Sequence, residues 1–339
     1  MSYSCTKRRS GETILFKRSI NMENYLVKRI EPPFFFSDYF FVVDTYLVAL
    51  SKTLGSGFVE VLNAKNLEPI CRFGEIGNGP GEFIGPSILR IDKQYKNLWF
   101  IDYPKETFYC YSIEDLVKSG GKPKLINSIK IKQDLLPHSY FVKSDGRIIL
   151  PTTLDSSLFS TISNDGGVVE VYGAETEERQ GLSQNPFNYF CTKHLAYNPR
   201  LNVAICPFLF QNKVLRYDFV NNKATYIYGS NYKAEKPKIS GLNIVNIVKY
   251  YPIRLTCNTE RYVFSGFLGT DGYSVEKKII VHSPTEIHVF DWDAKPIVKL
   301  IFDNPIKVFD VTEDGYLYMY ADATENQYRI YKLNWEEWE

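Results

Sequence analysis

The sequence predicts an all-β fold: a six-bladed β-propeller of four-stranded antiparallel blades, closed by a strand from the N-terminal region. Helical periodicity is nearly absent, whereas apolar runs of strand length recur between turn dipeptides. Candidate inner strands return at a period of about 50 residues, with two or three further strands in each unit, and this pattern is typical of a propeller. A single four-stranded sheet cannot bury both faces, so sheets stacked around an axis bury them against each other.

Six repeating units account for the chain. Their candidate inner strands begin near these positions: Phe40, Ile88, Phe141, Leu195, Arg254 and Val308. The intervals between them are 48, 53, 54, 59 and 54 residues, read from the residue numbers. A β-sandwich is the competing fold, but nothing in a sandwich repeats at this period.

Turn and helix signals place the shorter features. Asp–Gly dipeptides predict tight hairpin turns, because glycine accepts the positive φ that these turns require. They occur at residues 145–146, 165–166, 271–272 and 314–315. The one helical pattern lies at residues 112–120, where Ser112 can cap the helix, acidic residues fill the first turn and Gly120 ends it.

The two ends of the chain predict how the ring closes. The sixth unit shows three clear strands before Glu339, and the N-terminal region holds strand-like segments at 13–18 and 25–30. We expect one of these segments to supply the missing outer strand. Residues 13–339 are therefore predicted to form a single propeller, and residues 1–12 an N-terminal tail.

Composition excludes some partners. The chain has 40 Lys+Arg against 39 Asp+Glu, so it lacks the concentrated basic charge that nucleic-acid binding requires. No run of 18 apolar residues is present to span a membrane. The 25 Tyr and 23 Phe first indicate β-structure, and a platform for sugars is the sharper alternative.

A glycine-rich motif carries a family resemblance. Residues 73–83 read FGEIGNGPGEF, residues 98–102 read LWFID, and residues 287–297 read IHVFDWDAKPI. From about residue 13 to its end the chain resembles NHL-type propellers and, more closely, the TolB-like six-bladed propellers found as lipoproteins in Bacteroides-type bacteria. The resemblance implies a propeller fold and a lipid-anchored protein of the bacterial periplasm or outer membrane.

The same motif has a physical explanation. Four glycines and a proline in eleven residues indicate a tight connection between the outer strand of the first blade and the inner strand of the second. Phe73 and Phe83 are expected to fix its ends in the core. A phosphate-binding loop would need a helix behind it, and here a strand follows.

The cysteines separate into one candidate anchor and five expected core thiols. A small residue precedes Cys5 and a polar segment follows it, as at the end of a bacterial lipoprotein signal, although the apolar region that normally precedes such a cysteine is not in this sequence. We expect Cys5 to be the lipidation site of a longer precursor; the alternative is an ordinary thiol. Cys191 and Cys206 form the one pair to consider for a disulfide, since an exported protein allows one.

A ligand-binding site is predicted at the central channel, near His138, His194 and Arg90. Both histidines fall just before inner strands of adjacent units, and Arg90 lies on another inner strand. Two histidines do not complete a catalytic zinc site, which needs three protein ligands, so the identity of any metal stays open and no cofactor is predicted. Asp92, Asp145 and Asn198 also follow inner strands but are interpreted as turn residues, and no catalytic residue is assigned.

These observations favour a non-catalytic binding or scaffolding propeller of the bacterial cell envelope. Its expected partner is an envelope protein, a peptide or a glycan, with no nucleic acid, and it would contact the membrane only through a lipid anchor. A metal-dependent hydrolase or lyase with its site at the central channel is the alternative.

Overall fold

The computed structural model describes residues 12–32, 39–50, 57–132, 139–151, 157–174, 193–230, 232, 238–240, 243–245, 250–252, 255–269, 284–321 and 327–338. Within them the chain forms a six-bladed propeller of antiparallel four-stranded sheets. Strands are numbered in chain order.

The first three blades are consecutive meanders. Blade 1 contains β4 (Phe40–Val43), β5 (Tyr46–Leu50), β6 (Val59–Asn63) and β7 (Pro69–Phe73). Blade 2 contains β8 (Pro86–Asp92), β9 (Asn97–Asp102), β10 (Thr107–Ser112) and β11 (Leu125–Lys130). Blade 3 contains β12 (Phe141–Val142), β13 (Ile148–Pro151), β14 (Ser157–Ile162) and β15 (Val168–Ala174).

The last three blades each add a strand from the N-terminal region. Blade 4 contains β16 (Ala196–Asn198), β17 (Val203–Pro207), β18 (Lys213–Asp218) and β19 (Lys223–Gly229), with β1 (Glu12–Ile14) outside them. Blade 5 contains β22 (Thr256–Asn258), β23 (Tyr262–Phe267), β24 (Glu286–Asp291) and β25 (Pro296–Ile301), with β2 (Ser19–Asn21) outside them. Blade 6 contains β26 (Ile306–Val311), β27 (Tyr316–Ala321), β28 (Tyr328–Lys332) and β3 (Leu26–Ile30). The innermost strands of blades 1 to 6 are β4, β8, β12, β16, β22 and β26.

A few elements lie outside the blades. β20 (Lys238–Ser240) and β21 (Asn243–Val245) form a separate hairpin, and short 3-10 helices occupy Met22–Tyr25 and Trp335–Glu337. Helix α1 (Ile113–Lys118) follows β10, and the Ser112 hydroxyl accepts a hydrogen bond from the Asp115 N–H at 3.2 Å. The predicted helix and its cap are therefore confirmed.

Middle strands of the blades are buried on both faces. All six residues of β14 and all five of β17 are buried, because neighbouring blades cover both sides of each sheet. Neighbouring inner strands also contact one another: β4 touches β8 and β26, and β22 touches β16 and β26. The predicted inner strands agree with the structure within a few residues, although Arg254, the predicted start of the fifth, lies outside the described residues.

The N-terminal region crosses the outer edges of three blades in turn. β1 pairs with β19 and β2 pairs with β25, both in parallel, and β3 then pairs with β28 in antiparallel register. The third pairing joins the two ends of the chain within one sheet, so closure by an N-terminal strand is confirmed. The two parallel additions were not predicted.

Glu23 reinforces this closure. One carboxylate oxygen accepts hydrogen bonds from Arg329 Nη1 at 3.1 Å and from the Tyr331 hydroxyl at 3.2 Å, and the other accepts from Arg29 Nη2 at 3.0 Å. Arg329 lies on β28 and is 2 % exposed. A buried cation is costly without compensation, and Glu23 compensates the charge of Arg329. Because Glu23 bonds to residues of both β3 and β28, it holds these two paired strands of blade 6 together.

The glycine-rich connection is fixed by aromatic rings, as predicted. Phe73 and Phe83 have ring centroids 5.9 Å apart, and Phe83 packs on Phe100 at 5.0 Å. The buried Asp102 carboxylate accepts the backbone N–H groups of Ile84 and Gly85, each at 2.9 Å. Asp102 ends the LWFID motif, so this motif residue holds the loop in place.

We expect Glu23→Ala to lower the free energy of unfolding by about 3 kcal/mol, because Arg329 would lose a charged partner in a buried position. Urea denaturation monitored by circular dichroism measures the change. Glu114→Ala is the control, since the Glu114–Lys118 pair is exposed on both sides and such pairs contribute little. Equal stability of the two variants would show that Glu23 does not hold the closure.

Candidate ligand site in the central channel

The inner strands surround a cavity of about 360 Å³ in the channel. Its lining comes from all six blades, along the inner strands and the turns that follow them. The half-buried rings of Phe41 and Phe141 form part of the wall, and Phe141 packs on the ring of Tyr197 with centroids 4.6 Å apart. The cavity therefore combines apolar walls with the polar groups of the turns.

Asp92 and Asn198 occupy equivalent places in blades 2 and 4. Asp92 Oδ1 accepts the N–H groups of Gln94 at 3.1 Å and Tyr95 at 3.2 Å, and Asn198 Oδ1 accepts those of Arg200 at 3.0 Å and Leu201 at 3.1 Å. Their interpretation as turn residues is confirmed. Both also line the cavity, and burial raises the pKa of Asp92 despite its two backbone hydrogen bonds.

Arg90 lines the cavity, and its contacts in the described part of the chain are with neutral groups. Its guanidinium donates to the Tyr140 carbonyl at 3.3 Å and to the Ser139 hydroxyl at 3.1 Å, and it lies over the rings of Tyr39 at 5.7 Å and Phe41 at 5.9 Å. Among the described residues no carboxylate lies within 4.0 Å of it. Its charge is thus oriented by neutral groups.

Lys93 and Asp310 form an ion pair in the same cavity. Lys93 Nζ lies 3.0 Å from Asp310 Oδ2, and this oxygen also accepts the Val42 N–H at 2.8 Å. Asp310 is fully buried. Burial alone would lower the pKa of the Lys93 ammonium, but the Asp310 carboxylate, with smaller contributions from Cys257 and Glu313, raises it, and the net effect is a raised pKa.

Acidic groups gather where the inner strands of blades 5 and 6 end. Both Glu313 carboxylate oxygens accept the Glu260 N–H, at 3.0 and 3.1 Å, and the Glu260 carboxylate pairs with Arg200 at 2.9 Å. Burial raises the pKa of Glu313. In the described part of the chain Glu313 has no ion pair within 4.0 Å.

Of the three predicted site residues, the structure describes Arg90 and His194, and it brings Arg90 into the cavity. Arg90 lines it, His194 is 1 % exposed and does not line it, and His138 lies outside the described residues. A cluster of all three stays a prediction. The sequence analysis did not identify five further cavity residues: Phe41, Lys93, Phe141, Glu260 and Glu313. Their position in or shortly after an inner strand could have indicated that they line the channel.

His288 belongs to the core instead of a site. Its ring stacks on Phe267 at 4.0 Å, its Nδ1 lies 3.2 Å from the Tyr251 hydroxyl, and its Nε2 lies 3.2 Å from Glu286. Burial lowers the pKa of His288 to about 4, against the opposing effect of the Glu286 carboxylate.

Metal and membrane features can be stated for the described residues. They contain no group of three or more His, Cys, Asp or Glu side chains placed to hold a metal ion. No helix in the same ranges is long and apolar enough to cross a membrane. Cys206 is a buried free thiol whose pKa burial raises to about 12, while Cys5 and Cys191 lie outside the described residues.

Comparison with known proteins identifies the family. Residues 42–314 match the family described as TolB-like 6-blade propeller-like. This chain belongs to the TolB-like six-bladed propeller family. The predicted resemblance is therefore confirmed, and no curated protein matches the sequence.

Two solved structures with a similar fold come from Bacteroides. A DUF4221 family member from Bacteroides vulgatus has a TM-score of 0.56 at 11 % identity, covering 91 % of this chain and 97 % of its own. A Bacteroides fragilis protein proposed to be exported has a TM-score of 0.59 at 12 % identity, covering 95 % of this chain and 100 % of its own. At these identities the likeness to the TolB-like chain concerns the fold alone.

Acid should destabilise the TolB-like chain through His288. In the unfolded chain His288 is protonated below about pH 6.5, whereas in the folded chain it stays neutral down to about pH 4. Protonation therefore favours the unfolded state, and the free energy of unfolding falls as the pH falls from 6.5 to 4. We expect His288 to account for about 2 kcal/mol of the stability lost between pH 7 and pH 5.

His288→Gln, which does not titrate, tests this expectation. Urea denaturation at pH 7 and pH 5 should show a loss about 2 kcal/mol smaller in the variant than in the parent. Between pH 7 and pH 8 the two proteins should change in parallel. Identical losses at low pH would mean that His288 is protonated in the folded state as readily as in the unfolded one.

Proposed function

We propose that this chain is a non-catalytic binding propeller of the bacterial cell envelope, with its ligand in the central-channel cavity. The cavity carries the proposal. Its volume of about 360 Å³ falls within the range of small-ligand sites, which combine apolar walls with a few placed polar groups. A small molecule, or the end of a peptide or glycan, fits such a site better than a protein surface does.

The envelope location is supported separately. A structural neighbour from Bacteroides fragilis is proposed to be exported, and the lipoprotein-like sequence around Cys5 agrees with export. One acyl chain binds a membrane only marginally, so a stable anchor at Cys5 would need the several chains of a bacterial lipoprotein.

Blocking the channel tests the binding role. Asn258 is a half-buried cavity residue on blade 5, so Asn258→Trp should fill the site, whereas Val220→Trp alters a position that is 71 % exposed on blade 4. Equilibrium dialysis against the low-molecular-weight fraction of a Bacteroides fragilis envelope extract, followed by mass spectrometry, identifies retained compounds. We expect the parent and Val220→Trp to retain a compound that Asn258→Trp loses. Retention of nothing by the parent, or of the same compounds by all three proteins, would contradict the proposal.

Lipidation tests the envelope location. We expect the protein, expressed in a Bacteroides host from its chromosomal reading frame, to incorporate an alkyne-labelled fatty acid and to sediment with membranes. Cys5→Ser should abolish both properties, while Cys71→Ser should keep them, because Cys71 lies on β7 of blade 1. An unlabelled parent protein would remove the anchor from the proposal.

A further inference from the structure

We infer that the channel cavity takes a small zwitterion of the α-amino-acid type, which has an ammonium and a carboxylate close together on an apolar body. This inference rests on the proposed function and names the ligand class of the same cavity. It is based on a comparison of the cavity charges that form ion pairs among the described residues with those that do not.

Arg90 provides the site for the ligand carboxylate. Within the described residues its three hydrogen bonds go to the Tyr140 and Leu89 carbonyls and the Ser139 hydroxyl, all neutral acceptors. A guanidinium has more N–H donors than these bonds use, and its planar fork suits a carboxylate. The ring contacts hold the side chain in place, so the remaining donors are already oriented.

Asp92 provides the site for the ligand ammonium. It lies two residues after Arg90 on β8, so both side chains are on the same side of the strand and about 7 Å apart along it. Asp92 Oδ1 is used in the turn, while Oδ2 makes no hydrogen bond to the described residues. Burial raises the pKa of Asp92, and a ligand cation would offset that burial.

The other charges of the cavity leave this pair available. Lys93 is paired with Asp310, and Arg200 with Glu260. Among the described residues, Arg90 therefore contributes a positive charge that has no ionic partner, and Asp92 and Glu313 contribute negative charges. A ligand with several negative charges, such as a nucleotide, would meet the two carboxylates, whereas a zwitterion satisfies both signs.

The walls accommodate the apolar body of the ligand. Phe41 and Phe141 are half-buried and Leu195 is 5 % exposed, and all three line the cavity. Arg90 lies over the ring of Phe41, so the carboxylate site adjoins an apolar surface. This arrangement favours amino acids with aliphatic or aromatic side chains over those with charged ones.

Isothermal titration calorimetry with matched probes tests the inference. The proteinogenic L-amino acids are first screened by thermal shift at millimolar concentration. The best one is then compared with its decarboxylated amine and its deaminated acid, each of which lacks one charge. We expect each analogue to bind the parent protein at least tenfold more weakly than the amino acid.

Two variants assign the charges. Arg90→Gln should remove the preference for the amino acid over its amine, and Asp92→Asn the preference over its deaminated acid, because each variant loses one ionic contact. Val220→Trp should keep both preferences. Binding of no amino acid to the parent protein, or variants that weaken all three probes equally, would overturn the inference.

The outcome separates the inference from the proposed function. If the parent retains a compound from the envelope extract, Asn258→Trp loses it, and no amino acid binds, then the channel is a binding site for another ligand class. If the parent retains no compound and binds no amino acid, both proposals fail.

Discussion

The Asp310 carboxylate is the contact on which the geometry of the channel depends. It lies fully buried on the inner strand of blade 6, accepts the Val42 N–H from blade 1, and pairs with Lys93 from blade 2. A buried carboxylate is costly unless it is compensated, so these three blades are held in one arrangement around it. At the outer edge of blade 6, Glu23 and Arg329 join the N-terminal and C-terminal regions of the chain. Contacts near the central channel and at the outer edge of blade 6 therefore both hold the ring closed. The Lys93–Asp310 pair near the channel also forms part of the cavity wall.

The fold could be predicted from the sequence because each of the six blades must bury both faces of a four-stranded sheet, and this requirement repeats the same sequence pattern six times. Apolar runs, turn dipeptides and the unpaired last unit together predicted the blade period, the helix after Ser112 and the closing strand. The parallel strands β1 and β2 were not predicted, because each has three residues and so short a segment shows no periodicity. Their pairing partners also depend on the path of the N-terminal region around the ring. The glycine-rich motif was interpreted correctly because ring packing and tight turns are local properties.

The site was less predictable, because the direction of a side chain depends on strand register. Arg90 lies on an inner strand and His194 lies just before one, yet Arg90 lines the cavity, whereas His194 is buried and does not line it. Asp92 and Asn198 were interpreted only as turn residues. Each uses one side-chain oxygen in its turn while the residue also lines the cavity, so the structural and ligand-binding roles are compatible. The sequence indicated the turn role of both residues but not their position on the cavity wall.

The near-zero net charge concealed the electrostatics of the channel. Positive and negative residues almost cancel over the chain, but among the described residues of the cavity some charges form ion pairs and others have no ionic partner. A binding site made from ion pairs would have to break them before a charged ligand could enter. Arg90 is instead held by carbonyl, hydroxyl and aromatic groups, which orient it without neutralising it. A ligand carboxylate can therefore bind an already oriented guanidinium without displacing a protein carboxylate, and this pre-organisation lowers the free-energy cost of binding.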